Sequence, residues 1–112
     1  MRVTGSSQPF GSRARTGVLI ALQALGESYG RELARLLGMS LSGIQRALQS
    51  LEEDGLVAGR LVGRVRLFRV NPRAYARSEL ERYLERLLDS EADLRARTAA
   101  LCRRPRRTGK PL

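Results

Sequence analysis

The chain has 112 residues, enough for one compact domain, and its 21 Lys and Arg against 11 Asp and Glu give a net charge of +10. It contains no histidine and one cysteine, Cys102, so we expect no metal, no cofactor and no enzyme activity, because the usual general base and metal ligands are missing. A single cysteine excludes an internal disulfide, and no apolar run reaches the roughly 18 residues of a membrane span, which is typical of a cytoplasmic protein.

The positive charge is concentrated in one part of the chain. Residues 55–78 contain six arginines and no acid, whereas residues 17–54 and 79–101 each have a small negative balance. Arginine forms paired hydrogen bonds with phosphate and guanine, so this segregation favours a nucleic-acid partner. The arginine excess alone would fit the codon usage of a GC-rich genome equally well.

The first third of the chain predicts an arm and two helices. Residues 1–12 are rich in Gly, Ser and Pro and are expected to form a flexible N-terminal arm. Apolar residues at helical spacing then predict a helix from about Arg15 to Leu25 and a second from about Gly30 to Leu37. Gly38 occupies the position where a helix ends in a left-handed residue.

Ser40 is predicted to be the N-cap of a third helix, which runs from Leu41 to about Asp54. Helical spacing separates an inward apolar face from an outward polar face. The inward face comprises Leu41, Ile44, Ala47, Leu48 and Leu51, and the outward face comprises Ser42, Gln45, Arg46, Gln49 and Ser50.

Two short apolar runs, Leu56 to Leu61 and Val65 to Val70, are predicted to form a β-hairpin with Gly63 in its turn. Asn71-Pro72 ends the second strand. Ser78 then resembles the N-cap of one long helix that reaches about Arg103, and residues 103–112 are expected to be a disordered basic tail.

The C-terminal helix has an apolar seam at heptad spacing, which predicts a homodimer with two-fold symmetry. A monomer whose helix folds back on its own core is the alternative. The predicted dimerisation residues are Leu80, Leu84, Leu87, Leu88, Leu94 and Leu101.

The order of three helices, a hairpin and a further helix, with three residues between the second and third helices, predicts a winged helix-turn-helix. The fold class is therefore mainly α with a small β-hairpin wing, extended by a long C-terminal dimerisation helix. The predicted domain limits are 13–72 for the winged helix-turn-helix and 73–102 for the dimerisation helix.

The segment YGRELARLLGMSLSGIQRALQSLEEDGLVAGRLVGRVRLFRV, residues 29–70, resembles winged-helix domains of the ArsR/MarR type. It is similar in particular to prokaryotic members associated with nucleotidyltransferases, in which Asn-Pro also follows the second strand. The resemblance implies a third helix that enters the major groove of DNA and a wing that contacts the backbone or minor groove. Metal-sensing ArsR members need cysteine pairs or Asp/His clusters that this chain lacks.

We therefore expect a double-stranded DNA-binding transcription regulator, a dimeric repressor in the nucleoid that recognises an inverted repeat. In the third helix, Gln45 can pair with adenine and Arg46 with guanine. Three arginines cluster around the wing tip with no acid to pair them, and we expect them to contact phosphates or the minor groove. The predicted DNA-binding residues are Ser40, Ser42, Gly43, Gln45, Arg46, Gln49, Arg60, Arg64 and Arg66.

Two other functions fit the same pattern. The domain could be an interaction module that docks a partner protein such as a nucleotidyltransferase, or an architectural DNA binder. The acidic end of the third helix (Glu52, Glu53 and Asp54) is expected to point away from a duplex, because carboxylates repel phosphate.

Overall fold

The computed structural model describes residues 10–103, apart from the Arg103 side chain. Five helices and a three-stranded sheet follow one another along the chain, which confirms the predicted mainly α fold with a hairpin wing. The elements are α1 Arg13–Leu25, β1 Ser28–Tyr29, α2 Gly30–Leu37, α3 Leu41–Glu53, β2 Val57–Val62, β3 Val65–Val70, α4 Arg77–Asp89 and α5 Ala92–Arg103. None of these helices is long and apolar enough to cross a membrane.

The folded body begins earlier than the sequence predicted. Ser12 is the N-cap of α1, since its hydroxyl accepts a hydrogen bond from the Arg15 amide at 3.1 Å. Phe10 packs against the core and its ring centroid lies 5.9 Å from that of Tyr83 on α4. Residues 10–12 are thus part of the domain rather than of the predicted arm 1–12, whose residues 1–9 lie outside the described residues.

The sheet is antiparallel in the order β1-β3-β2. β2 and β3 form the predicted hairpin, in which Val62 pairs with Val65 across the two-residue turn Gly63-Arg64. Gly63 has a φ of +63°, the left-handed region that a type II′ turn requires at its first central position. β1 was not predicted, because two residues are too few to show an alternating pattern.

The core is built around α1. Val18, Leu19, Ile20, Ala21 and Leu22 are completely buried, since α1 contacts α2, α3, α4, α5 and β3. The surrounding elements contribute their apolar faces, chiefly Leu33, Leu37, Ile44, Leu48, Leu51, Val57, Phe68, Leu84 and Leu94.

The predicted single C-terminal helix is instead two helices. α4 ends at Asp89, where the Ser90 hydroxyl donates a hydrogen bond to the Leu87 carbonyl at 2.7 Å, a local bond that competes with continuation of the helix. α5 then packs on α1 and α2, and Arg97 donates to the Leu36 carbonyl at the end of α2, at 2.9 Å.

The predicted dimerisation seam therefore faces the chain's own core. Leu84 and Leu94 are buried there, at 0% and 1% exposure. The other four predicted dimerisation residues are partly buried and pack against the same core: Leu80, Leu87, Leu88 and Leu101. This is the folded-back arrangement that the sequence left as the alternative.

Because Leu84 belongs to the monomer core, we expect Leu84→Ala to lower the free energy of unfolding by about 2–5 kcal/mol through lost burial and the cavity left behind. Urea denaturation at several protein concentrations measures this. Arg82→Ala, an exposed change two residues away on the same helix, is the control and should cost little. A Leu84→Ala loss no larger than that of the control would contradict this packing.

Candidate nucleic-acid interface

Helices α2 and α3 are joined by a tight turn of three residues. Gly38 adopts the left-handed conformation with φ +66°, and the Met39 amide donates to the Ala34 carbonyl at 3.0 Å, so the end of α2 is capped as the sequence predicted. The turn fixes α3 at an angle to α2. This is the geometry of a helix-turn-helix.

Ser40 caps α3, since its Oγ accepts from the Gly43 amide at 3.1 Å. A Cβ at Gly43 would lie 3.0 Å from this oxygen, so the glycine keeps space for the cap. Both residues were predicted to contact DNA. The structure gives each of them a local role at the helix start.

The two faces of α3 separate as predicted except at Leu41 and Ser50, which are both half-buried. Ile44, Ala47, Leu48 and Leu51 are buried against the core, whereas the opposite face is exposed to solvent. The exposed polar residues are Ser42, Gln45, Arg46 and Gln49. Four of the predicted DNA-binding side chains therefore share one accessible helix face.

A groove runs between α3 and the hairpin. It is lined by the start of α2, by α3 and by β3, including Tyr29, Gln45, Gln49, Glu52, Arg64 and Arg66. Gln45 and Gln49 lie one helical turn apart along it. Gln45 and Gln49 of α3 thus share this groove with Arg64 and Arg66 of the hairpin, whereas Ser42 and Arg46 do not line it.

Arg60 does not join the arginine cluster that the sequence predicted. In the strand register Arg60 pairs with Leu67 and Leu61 with Arg66, so Arg60 and Arg66 lie on opposite faces of the hairpin. Arg60 also forms two hydrogen bonds to Glu27, at 2.9 and 3.1 Å. The hydrogen bond and the charge of Glu27 raise the pKa of the Arg60 guanidinium.

Arg66 is also paired with an acid, which the sequence analysis did not foresee. Its Nη2 lies 2.9 Å from Oε2 of Glu52 on α3, and its guanidinium lies over the Phe68 ring, 5.1 Å from the centroid. Within residues 10–103, Arg64 forms no such ion pair and is exposed. The expectation that all three hairpin arginines lack acidic partners is therefore wrong for Arg60 and Arg66.

The acidic end of α3 does not point uniformly away from the groove. Glu52 lines it, whereas Glu53 and Asp54 are exposed. Asp54 pairs with Arg15 of α1 at 2.7 Å, and Arg15 also donates to Ser50. Arg15 thus ties α1 to the end of α3.

The structure does not test the predicted basic tail. Arg104, Arg106, Arg107 and Lys110, with the side chain of Arg103, lie outside the described residues. Among residues 10–103, no group of three or more Cys, Asp and Glu side chains is placed to hold a metal ion.

A model of the MarR family matches residues 12–65. No curated protein matches the chain. Among solved structures, a cysteine-to-serine variant of ZitR from Lactococcus lactis in complex with DNA aligns with a TM-score of 0.57 and 21% identity, over 84% of this chain and 68% of that one. A glutamate-to-alanine variant of ZitR aligns with a TM-score of 0.56 and 21% identity, over 82% and 66%. These similarities support the winged-helix fold.

The cap of α3 gives a stability prediction. We expect Ser40→Ala to lower the free energy of unfolding by about 0.5–2 kcal/mol, because the Gly43 amide loses its acceptor. Ser42→Ala, an exposed change on the same helical turn, should have little effect. Thermal or urea unfolding followed by circular dichroism measures both, and equal stability of the two variants would argue against the cap.

Proposed function

We propose that this chain, a winged helix-turn-helix protein of the MarR type over residues 12–65, is a transcription regulator that binds double-stranded DNA through α3 and its hairpin. The observation that carries the proposal is the groove that Gln45 and Gln49 of α3 share with Arg64 and Arg66 of the hairpin. The solved complex of a ZitR variant with DNA supports the same assignment.

The shape and side chains of α3 suit the major groove, which is about 12 Å wide and admits one helix. Gln45 and Arg46 lie in the first half of α3 and are exposed. Recognition helices contact base edges with the side chains near their N-terminal end. A glutamine can bond adenine through two hydrogen bonds, and an arginine can do the same with guanine. We assign sequence recognition to these two residues, with Gln49 one turn further along.

The hairpin suits the phosphate backbone. Arg64 lies in the two-residue turn and is exposed. With α3 in the major groove, a hairpin on the same side of the protein meets the adjacent backbone or minor groove. Arg64 would then supply affinity that does not depend on sequence.

We further propose that the chain acts as a dimeric repressor on an inverted repeat. One α3 covers only about half a turn of DNA, and a two-fold dimer places two such helices about one turn apart. Since Leu84 and Leu94 are buried in the monomer, the interface would use the outer surface of α4 and α5. Tyr83, an aromatic side chain that is 46% exposed, lies on that surface.

The two roles assigned to arginine can be separated by mutation. We expect Arg46→Ala to cost about 1–3 kcal/mol of binding to the preferred duplex and to reduce the difference from a scrambled duplex. Arg64→Ala should weaken binding to both duplexes equally and make the salt dependence shallower by about one charge.

The preferred duplex can be selected from a random library with the wild-type chain, and affinities measured by fluorescence anisotropy over a salt series. Arg73→Ala in the loop after β3, which removes the same charge from an exposed residue that does not line the groove, is the matched control. If Arg46→Ala keeps the sequence preference of the wild-type chain, the assignment of sequence recognition to α3 is wrong.

The oligomeric state gives a separate test. We expect sedimentation at micromolar concentration to show a species of twice 12.5 kDa, and the selected sites to contain inverted half-sites about 10 base pairs apart, centre to centre. A 12.5 kDa species alone, bound to a single half-site, would contradict the dimer and leave the DNA-binding surface intact.

A further inference from the structure

We infer that Glu52 lowers the affinity of this surface for DNA of any sequence, by holding Arg66 away from phosphate and by placing a carboxylate in the groove. The inference rests on the proposed DNA-binding function and adds a residue that works against binding. It concerns a carboxylate on α3 itself, where the surrounding residues would otherwise attract phosphate.

The geometry of the pair supports this role. Arg66 and Glu52 meet across the groove at 2.9 Å, with side chains that are 52% and 27% exposed. Phe68 supports the guanidinium from beneath, at 5.1 Å from its ring centroid. Arg66 is thus directed across the groove toward α3 instead of outward, and two of its neighbours hold it there.

Gly59 provides the space that the pair occupies. A Cβ at this position would lie 2.8 Å from Nη2 of Arg66, 2.9 Å from Cε1 of Phe68 and 3.0 Å from Oε2 of Glu52. Gly59 lies within β2, an extended strand in which other residues fit, so the backbone does not require glycine. Glycine is needed here because a side chain at position 59 would occupy the space in which Arg66, Phe68 and Glu52 meet.

Two neighbouring residues show that this arrangement is specific. Arg64 lies two positions from Arg66, is exposed and has no ion pair within the described residues. Glu53 lies next to Glu52 and is also exposed. A phosphate can therefore reach Arg64 directly, whereas at Arg66 Nη2 and part of the positive charge are already engaged by Glu52. It also meets the repulsion of a carboxylate that lines the groove, whatever the base sequence.

The test compares Glu52→Gln with Glu53→Gln, which removes the same charge from the same end of α3 without breaking the pair. Affinities for the selected duplex and its scrambled version are measured by fluorescence anisotropy between about 50 and 200 mM salt, the range in which phosphate contacts dominate. Unfolding curves for each variant check that the fold is retained.

We expect Glu52→Gln to bind both duplexes about three- to tenfold more tightly than Glu53→Gln at low salt, with a salt dependence steeper by about one phosphate contact. The ratio between the two duplexes should stay constant. In an Arg66→Ala background, the difference between the two glutamine variants should shrink to the repulsion of the groove-lining carboxylate alone, because no arginine is left for Glu52 to hold.

Three outcomes would overturn the inference. Equal affinities of Glu52→Gln and Glu53→Gln would show that the pair does not affect binding. Weaker binding by Glu52→Gln would make Glu52 a support of the docked hairpin, and a changed ratio between duplexes would make it a base contact. If the wild-type chain binds no duplex in a salt-dependent way, the proposed function itself fails, which is distinct from all three.

Discussion

The structure depends on the burial of α1. Its residues from Thr16 to Leu22 are buried on every side, and a helix that is apolar all round must be covered by protein all round. Five other elements meet this requirement. Each turns its apolar face to α1 and is thereby fixed in orientation, so the outer surface of the domain consists of the faces that α1 does not use.

The DNA-binding surface proposed for this chain follows from that arrangement. α3 packs its apolar face against α1, and Arg15 of α1 holds the far end of α3 through Asp54 and Ser50. β3 contacts α1 as well, so the helix and the hairpin are positioned by the same central element. The groove between them is consequently a fixed feature of the fold, and its polar lining is free to specify a partner.

Local signals made much of this predictable from sequence. Gly38 and Ser40 mark the end of α2 and the start of α3 by chemistry that involves only a few neighbouring residues, and Gly63 marks the hairpin turn in the same way. The exposed side chains of α3 follow from helical periodicity alone. Such features are decided within one or two turns of chain, where the sequence contains all the participants.

Most features that escaped prediction are long-range, the Ser12 cap and the Ser90 bond being local exceptions. Arg60 finds Glu27 and Arg66 finds Glu52 only because the sheet and α3 bring them together. The leucine seam of α4 and α5 would satisfy either a partner helix or α1. The hydrogen bond from Ser90 to Leu87 ends α4, and α4 and α5 then cover the side of α1 that the other elements leave open. The seam therefore packs on the chain's own core.

The same long-range pairing means that the net charge of +10 overstates the number of arginines available to a phosphate. Of the three arginines near the hairpin tip, Arg60 and Arg66 are paired with acids, and within residues 10–103 only Arg64 has neither an ion pair nor burial to restrict it. The charge that a phosphate meets is therefore set by which arginines are already occupied. An arginine already paired with a carboxylate adds little net positive charge to the surface, so the fold, more than the composition, determines how strongly this surface attracts a phosphate.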